Sequence, residues 1–177
     1  MTNPLDIQVK IEEEHIFFVK EYPFVHSSVF RSSIIYASEI NDVCFNTFPY
    51  SLIINNNEIL FLENSHRIRE ELISFAKRNN LPMIDRDDIW YLLTTPFLDT
   101  KFEAGERTEI ASKLQRYFTK GEVRSTRWKI GTVLWRNLFF GQEWAYLGQF
   151  DYLRLKLLLS QSDYWWSMRI ALRSYNN

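Results

Sequence analysis

No glycine precedes Gly105 in this 177-residue chain, and no proline follows Pro96. The first absence removes the glycine-rich turns that let a strand pass a phosphate to a helix N-terminus. A P-loop or a dinucleotide fingerprint therefore cannot be drawn in the first half, and neither motif occurs in the second. The second absence leaves the helices after residue 96 without a proline to break them. Cysteine is scarce too. Cys44 has no second thiol for a disulfide or a thiolate metal site, and its setting, Asp42-Val43-Cys44-Phe45, reads as that of a buried structural thiol. The three histidines, His15, His26 and His66, are scattered, so no His-rich zinc pattern forms. No serine stands in a G-x-S-x-G elbow.

Long apolar runs are also missing. No stretch approaches the roughly 18–20 uncharged apolar residues that span a bilayer, and residues 1–6 have neither the basic flank nor the apolar run of a secretory signal. The expectation is a soluble, cytoplasmic chain with no membrane partner and no cofactor.

What the chain has in quantity is hydrophobic residues (46%) and aromatics (16%), enough to build a core and to argue against disorder. Its net charge of −1 hides a reversal. Residues 1–100 hold 8 Lys/Arg against 15 Asp/Glu, and residues 101–177 hold 13 against 7. Because the glycine–proline exchange falls at the same place, the architecture is expected to change near residues 80–104.

Before that joint the pattern is that of strands. Residues 7–12 alternate apolar and polar with period two; 15–22, 29–37 and 42–48 are further strand candidates. Residues 51–54 and 58–62 flank Asn55-Asn56-Asn57, a hairpin whose asparagines supply the left-handed backbone in place of glycine. Ser65 reads as the N-cap of a helix with Ile68, Leu72, Ile73, Phe75 and Ala76 on one face, and residues 81–84 as one more short strand. After the joint the period becomes about 3.6. Helices are expected from Asp85 or Asp87 to Pro96, over 104–119 with Gly121 as C-cap, over 122–140, over 142–159, and from Ser162 or Asp163 onward.

The predicted fold is therefore α+β. An N-terminal antiparallel sheet of four to six strands is closed by one helix over 1–80, and a bundle of about four to five helices follows over 81–177, the two packed as one compact unit. Antiparallel strands, a tight hairpin and a closing helix over 7–79 resemble the layout of pleckstrin-homology-like domains. The resemblance rests on element order and would imply a sheet scaffold that binds peptide or lipid.

Three constellations bear on function. Asp85, Asp87 and Asp88, with Glu103 farther on, form an acidic cluster that suits a divalent cation in a metal-dependent hydrolase, or equally the capping of a helix start. Lys113, Arg116, Lys120, Arg124, Arg127, Lys129 and Arg136, interleaved with Tyr117, Trp128 and Trp135, offer the cations and rings of a nucleic-acid groove, or an ordinary solvated helix face over a core. Trp144, Tyr164, Trp165 and Trp166 concentrate rings near the C-terminus. Three consecutive residues point about 100° apart on a helix, so one ring of 164–166 is expected to face outward as a contact. The reading these residues favour is a non-catalytic, bacterial-type protein-interaction module (adaptor, immunity or defence component) that binds a protein partner or itself. Nucleic-acid binding through 113–136 and metal-dependent hydrolysis through 85–103 are the alternatives.

Overall fold

A computed structural model of the chain describes residues 7–98, 103–138, 147–156 and 158–175. The fold is α+β, with two β-sheets and a C-terminal cluster of helices. It divides into two compact units, Met1–Arg86 with Ser160–Met168, and Asp87–Leu159 with Arg169–Asn177.

In the first unit β1 (Val9–Ile11), β2 (His15–Phe18) and β3 (Ile34–Tyr36) form an antiparallel sheet in that order. The period-two pattern sends Val9, Ile16 and Phe18 inward and leaves Lys10 in water. The second sheet has the order β6-β5-β4-β7, built from β4 (Ile40–Cys44), β5 (Tyr50–Ile54), β6 (Glu58–Leu62) and β7 (Met83–Ile84). All five residues of β6 are buried, which fits the apolar run Ile59–Leu62 that follows Glu58. Asn55 and Asn56 close the β5–β6 hairpin at φ 48° and 56°, the left-handed region asparagine tolerates. Cys44 is fully buried and carries no disulfide.

Two expectations are corrected here. The strands do not form one antiparallel sheet closed by a helix. They split between two sheets, and β7 runs parallel to β4, with Val43 opposite Met83. Helix α2 (His66–Arg78) connects β6 to β7. The strand expected over 29–37 is broken as well. Val29–Ser32 coil into α1, Ser33 turns left-handed at φ 54°, and only Ile34–Tyr36 extend. The cause is tertiary. The Glu58 carboxylate accepts hydrogen bonds from Ser27 Oγ (2.6 Å), Ser28 Oγ (2.6 Å) and Ser28 N–H (3.2 Å), and these pin the start of α1 against strand propensity.

Helix α2 starts as its sequence indicates, with Ser65 Oγ accepting from Ile68 N–H at 3.3 Å. It buries Ile68, Leu72, Phe75 and Ala76, and the larger three contribute about 1.5–3 kcal/mol each by leaving water. Beneath the sheets Phe18, Tyr22, Phe24, Phe61 and Tyr164 form a chain of tilted and edge-to-face rings with centroids 5.0–6.3 Å apart. Tyr22 Oη accepts from Phe61 N–H, and Tyr164 Oη donates to Glu58 at 2.5 Å. Burial raises the pKa of both phenols, with the Glu58 charge adding to each, so both stay protonated.

The second unit is helical: α3 (Ile89–Thr94), α4 (Ala104–Tyr117), α5 (Lys120–Leu138) and α6 (Gln149–Leu155). The last helix, α7 (Gln161–Ala171), belongs to the first unit up to Met168 and to the second from Arg169. Pro96 ends α3 in a 3-10 turn over Thr95–Phe97. Gly121 does not cap α4. Phe118 extends there (φ −141°), and Thr119 with Glu122 makes a reciprocal cap that starts α5 two residues earlier than periodicity indicated. The Trp90 ring packs on Tyr152 at 4.8 Å, and Thr94 Oγ1 donates to Leu147 O at 2.6 Å. Arg173 donates to Tyr117 O (3.1 Å) and Glu122 (2.9 Å), and its guanidinium stacks on Phe118 at 4.4 Å. No helix among the described residues is long and apolar enough to cross a membrane.

Candidate interaction surface on helix α5

Helix α5 sorts its residues by angle. Thr126, Ile130 and Leu134 are buried on one side. On the other, Lys120, Arg124 and Trp128 follow one another at four-residue steps and all three are exposed, Trp128 to 75%. The stripe is about 12 Å long at the helical rise of about 1.5 Å per residue. A tryptophan that leaves this much ring in water is unusual, and two cations on the same line give the ring a positive frame.

The other members of the basic segment are employed differently. Lys113 is bonded to Glu109 at 2.8 Å, an exchange that raises the ammonium and lowers the carboxyl. Arg116 is exposed and Lys129 half-buried. Arg127 turns away from the stripe: its Nε donates to Leu93 O and its Nη2 to Leu92 O, each at 3.1 Å, capping the end of α3. Burial lowers the Arg127 pKa. The segment thus gives two cations to a short exposed stripe, one to a surface ion pair and one to an inward cap. The side chains of Trp135 and Arg136 lie outside the described residues.

The C-terminal rings are distributed otherwise than a contact surface needs. Tyr164 is fully buried on Glu58 and Phe24, which removes it as a contact residue. Trp165 and Trp166 are half-buried, the Trp165 ring standing edge-on to Tyr164 at 5.3 Å. Trp144 lies outside the described residues.

The acidic residues take separate tasks. Asp88 Oδ1 accepts from Tyr91 N–H at 3.0 Å as the N-cap of α3, Asp87 Oδ2 accepts the Tyr117 hydroxyl at 2.7 Å, Glu103 shares a capping box with Glu106, and Asp85 is exposed. No group of three His, Cys, Asp or Glu among the described residues is placed to hold a metal ion.

Trp128 was legible only in part. Its neighbours at i−4 and i−8 are the cations Arg124 and Lys120, which places charge along its helix face.

Fold and surface together describe a small α+β protein with buried aromatic clusters and no metal-binding cluster among its described residues. The chain matches no family model, no curated protein and no solved structure.

Proposed function

We propose that this chain is a non-catalytic interaction protein that uses the Lys120–Arg124–Trp128 stripe of α5 to hold an acidic protein surface. The adaptor, immunity and defence settings all fit such a role. One observation carries the reading: Trp128 stands 75% exposed in line with two exposed cations, with the composition of an interface hot spot. The separate structural tasks of Asp87, Asp88 and Glu103 support a non-catalytic reading over a metal-dependent hydrolase. Nucleic-acid binding loses support because Lys113 is paired and Arg127 faces inward, leaving too few free cations for a phosphate track.

The test is a comparison of affinity capture by the wild-type chain, Trp128→Ser, Arg124→Glu and Trp165→Ala, with a single-stranded oligonucleotide as a parallel bait. A protein retained by the wild type and Trp165→Ala but lost by the other two supports the stripe. Retention of the oligonucleotide alone, falling steeply with salt, would replace the protein partner with nucleic acid. Equal retention by all four proteins would remove the stripe from consideration.

A further inference from the structure

The inward turn of Arg127 creates a site unrelated to the exposed stripe. A cavity of about 400 Å³ opens in the second unit between the Thr95–Phe97 turn, α4 and α5. That is within the roughly 300–1,000 Å³ of small-molecule sites, near the lower end. Pro96, Leu98, Ile110 and Ala111 give it apolar walls, and among the described residues that line it Arg107 and Arg127 are the charged ones, with no acid.

Arg127 does more than cap α3. The bonds to Leu92 O and Leu93 O use the side of the guanidinium carrying Nε and one Nη2 proton. They neutralise the helix end and fix the plane of the group. The outer edge, Nη1 with the second Nη2 proton, bonds to no described residue, and no described carboxylate pairs with Arg127. A partly desolvated guanidinium without a counter-charge is costly, and an oxyanion seated on that edge removes the cost. Because two bonds already hold the fork, little rotamer freedom remains to be lost on binding. Arg107, at i−3 and i−4 from Ile110 and Ala111 on α4, adds a second, exposed cation. On the third side Phe97 packs on α5 so closely that a Cβ on Gly131 would meet its ring at 3.0 Å. That glycine lets the turn approach α5.

We propose that this cavity binds a small organic oxyanion, its carboxylate or phosphate on the outer edge of Arg127 and near Arg107, its short apolar body along Pro96, Leu98 and Ile110. Both head groups share the planar or tetrahedral oxygens that an arginine fork matches.

The experiment titrates the full chain with hexanoate, hexyl phosphate, hexanol and inorganic phosphate, followed by calorimetry and by the amide resonances of Thr95, Leu98 and Ile110. Saturable binding of at least one of the two amphiphilic anions, moving those resonances, is the expected result, and the tighter of the two names the head group. Ala111→Trp, an exposed substitution that fills the cavity, and Arg107→Gln should each weaken that binding by about tenfold or more. Neither touches the α3 cap, so both keep the test open if Arg127→Gln fails to fold. Binding of hexanol as tight as the anions would overturn the role of the arginines. Inorganic phosphate binding as tightly would overturn the role of the walls. No saturation by any of the four, or unchanged binding in Ala111→Trp, would overturn the site.

Discussion

The Tyr164 hydroxyl donates to the Glu58 carboxylate at 2.5 Å, joining α7 to the first residue of β6 across 106 positions of sequence. Glu58 is fully buried and receives Ser27 and Ser28 as well, so a carboxylate inside the aromatic core of the first unit is held by donors from two distant segments. Removing one partner of such a charge leaves it short of a bond it cannot recover from water. Tyr164→Phe is expected to destabilise the protein by about 1.5–3 kcal/mol in urea denaturation. Glu58→Ala, which removes the acceptor of three hydroxyls, two of them buried, is expected to cost more. A loss below about 0.5 kcal/mol for Tyr164→Phe would place it among neutral surface changes and refute this role.

A second buried charge, Asp42, belongs to β4 itself. Arg86 Nη2 lies 3.4 Å from Asp42 Oδ1 and donates to Ser51 Oγ at 3.1 Å, while Arg86 Nε and Nη1 make no hydrogen bond among the described residues. Burial raises the Asp42 pKa and the Arg86 charge draws it partly back. Breaking the pair on one side should therefore cost more than removing it whole. Asp42→Leu and Arg86→Met are each expected to lose about 3–5 kcal/mol, and the double variant less than either. Additive losses in a double-mutant cycle would contradict the coupling.

Acid should loosen the second unit through Glu122. Its bonds from Thr119 N–H, from Arg173 and from the Thr119 hydroxyl lower its pKa from 4.5 to about 2. A carboxyl depressed in the folded state contributes stability that is complete above 4.5 and disappears as the pH falls toward about 2. Thermal midpoints of the wild type and Glu122→Gln should thus differ at neutral pH and converge across that window. A gap that stays constant down to the lowest pH would show that the charge of Glu122 is not what matters.

The glycines of α5 should respond differently to a methyl group. A Cβ at Gly121 meets nothing within 4 Å, so Gly121→Ala in the first turn is expected to stabilise by up to about 0.5 kcal/mol through helix propensity. At Gly131 the same methyl group meets the Phe97 ring at 3.0 Å, and the gain should vanish as the ring is pushed aside. Thermal melts of the two variants decide it, and equal shifts would mean that Phe97 yields freely.

Local chemistry was the most readable part of this sequence. The Asn55–Asn57 hairpin, the Ser65 cap, the apolar face of α2 and the stop at Pro96 each follow from a few adjacent residues, and all form as expected. What failed depended on distant partners. Nothing near residue 29 reveals that Glu58 will seize Ser27 and Ser28, and nothing near residue 83 reveals that two residues will pair parallel with β4. The basic segment 113–136 was visible as composition, but its division into stripe, ion pair and cap depends on helix phase against neighbours that one-dimensional spacing does not contain. Tyr164 is buried for the same reason: its polar end finds a carboxylate in the core.

The first unit is made of two pieces of chain separated by the 73 residues 87–159. Synthesis proceeds from the N-terminus, so both sheets and α2 leave the ribosome long before Ser160–Met168 are made. During that interval Glu58 waits inside an aromatic cluster that lacks one of its rings and one of its hydroxyl donors. The nascent first unit is a socket without its plug, and its completion is deferred until nearly the whole chain has been translated.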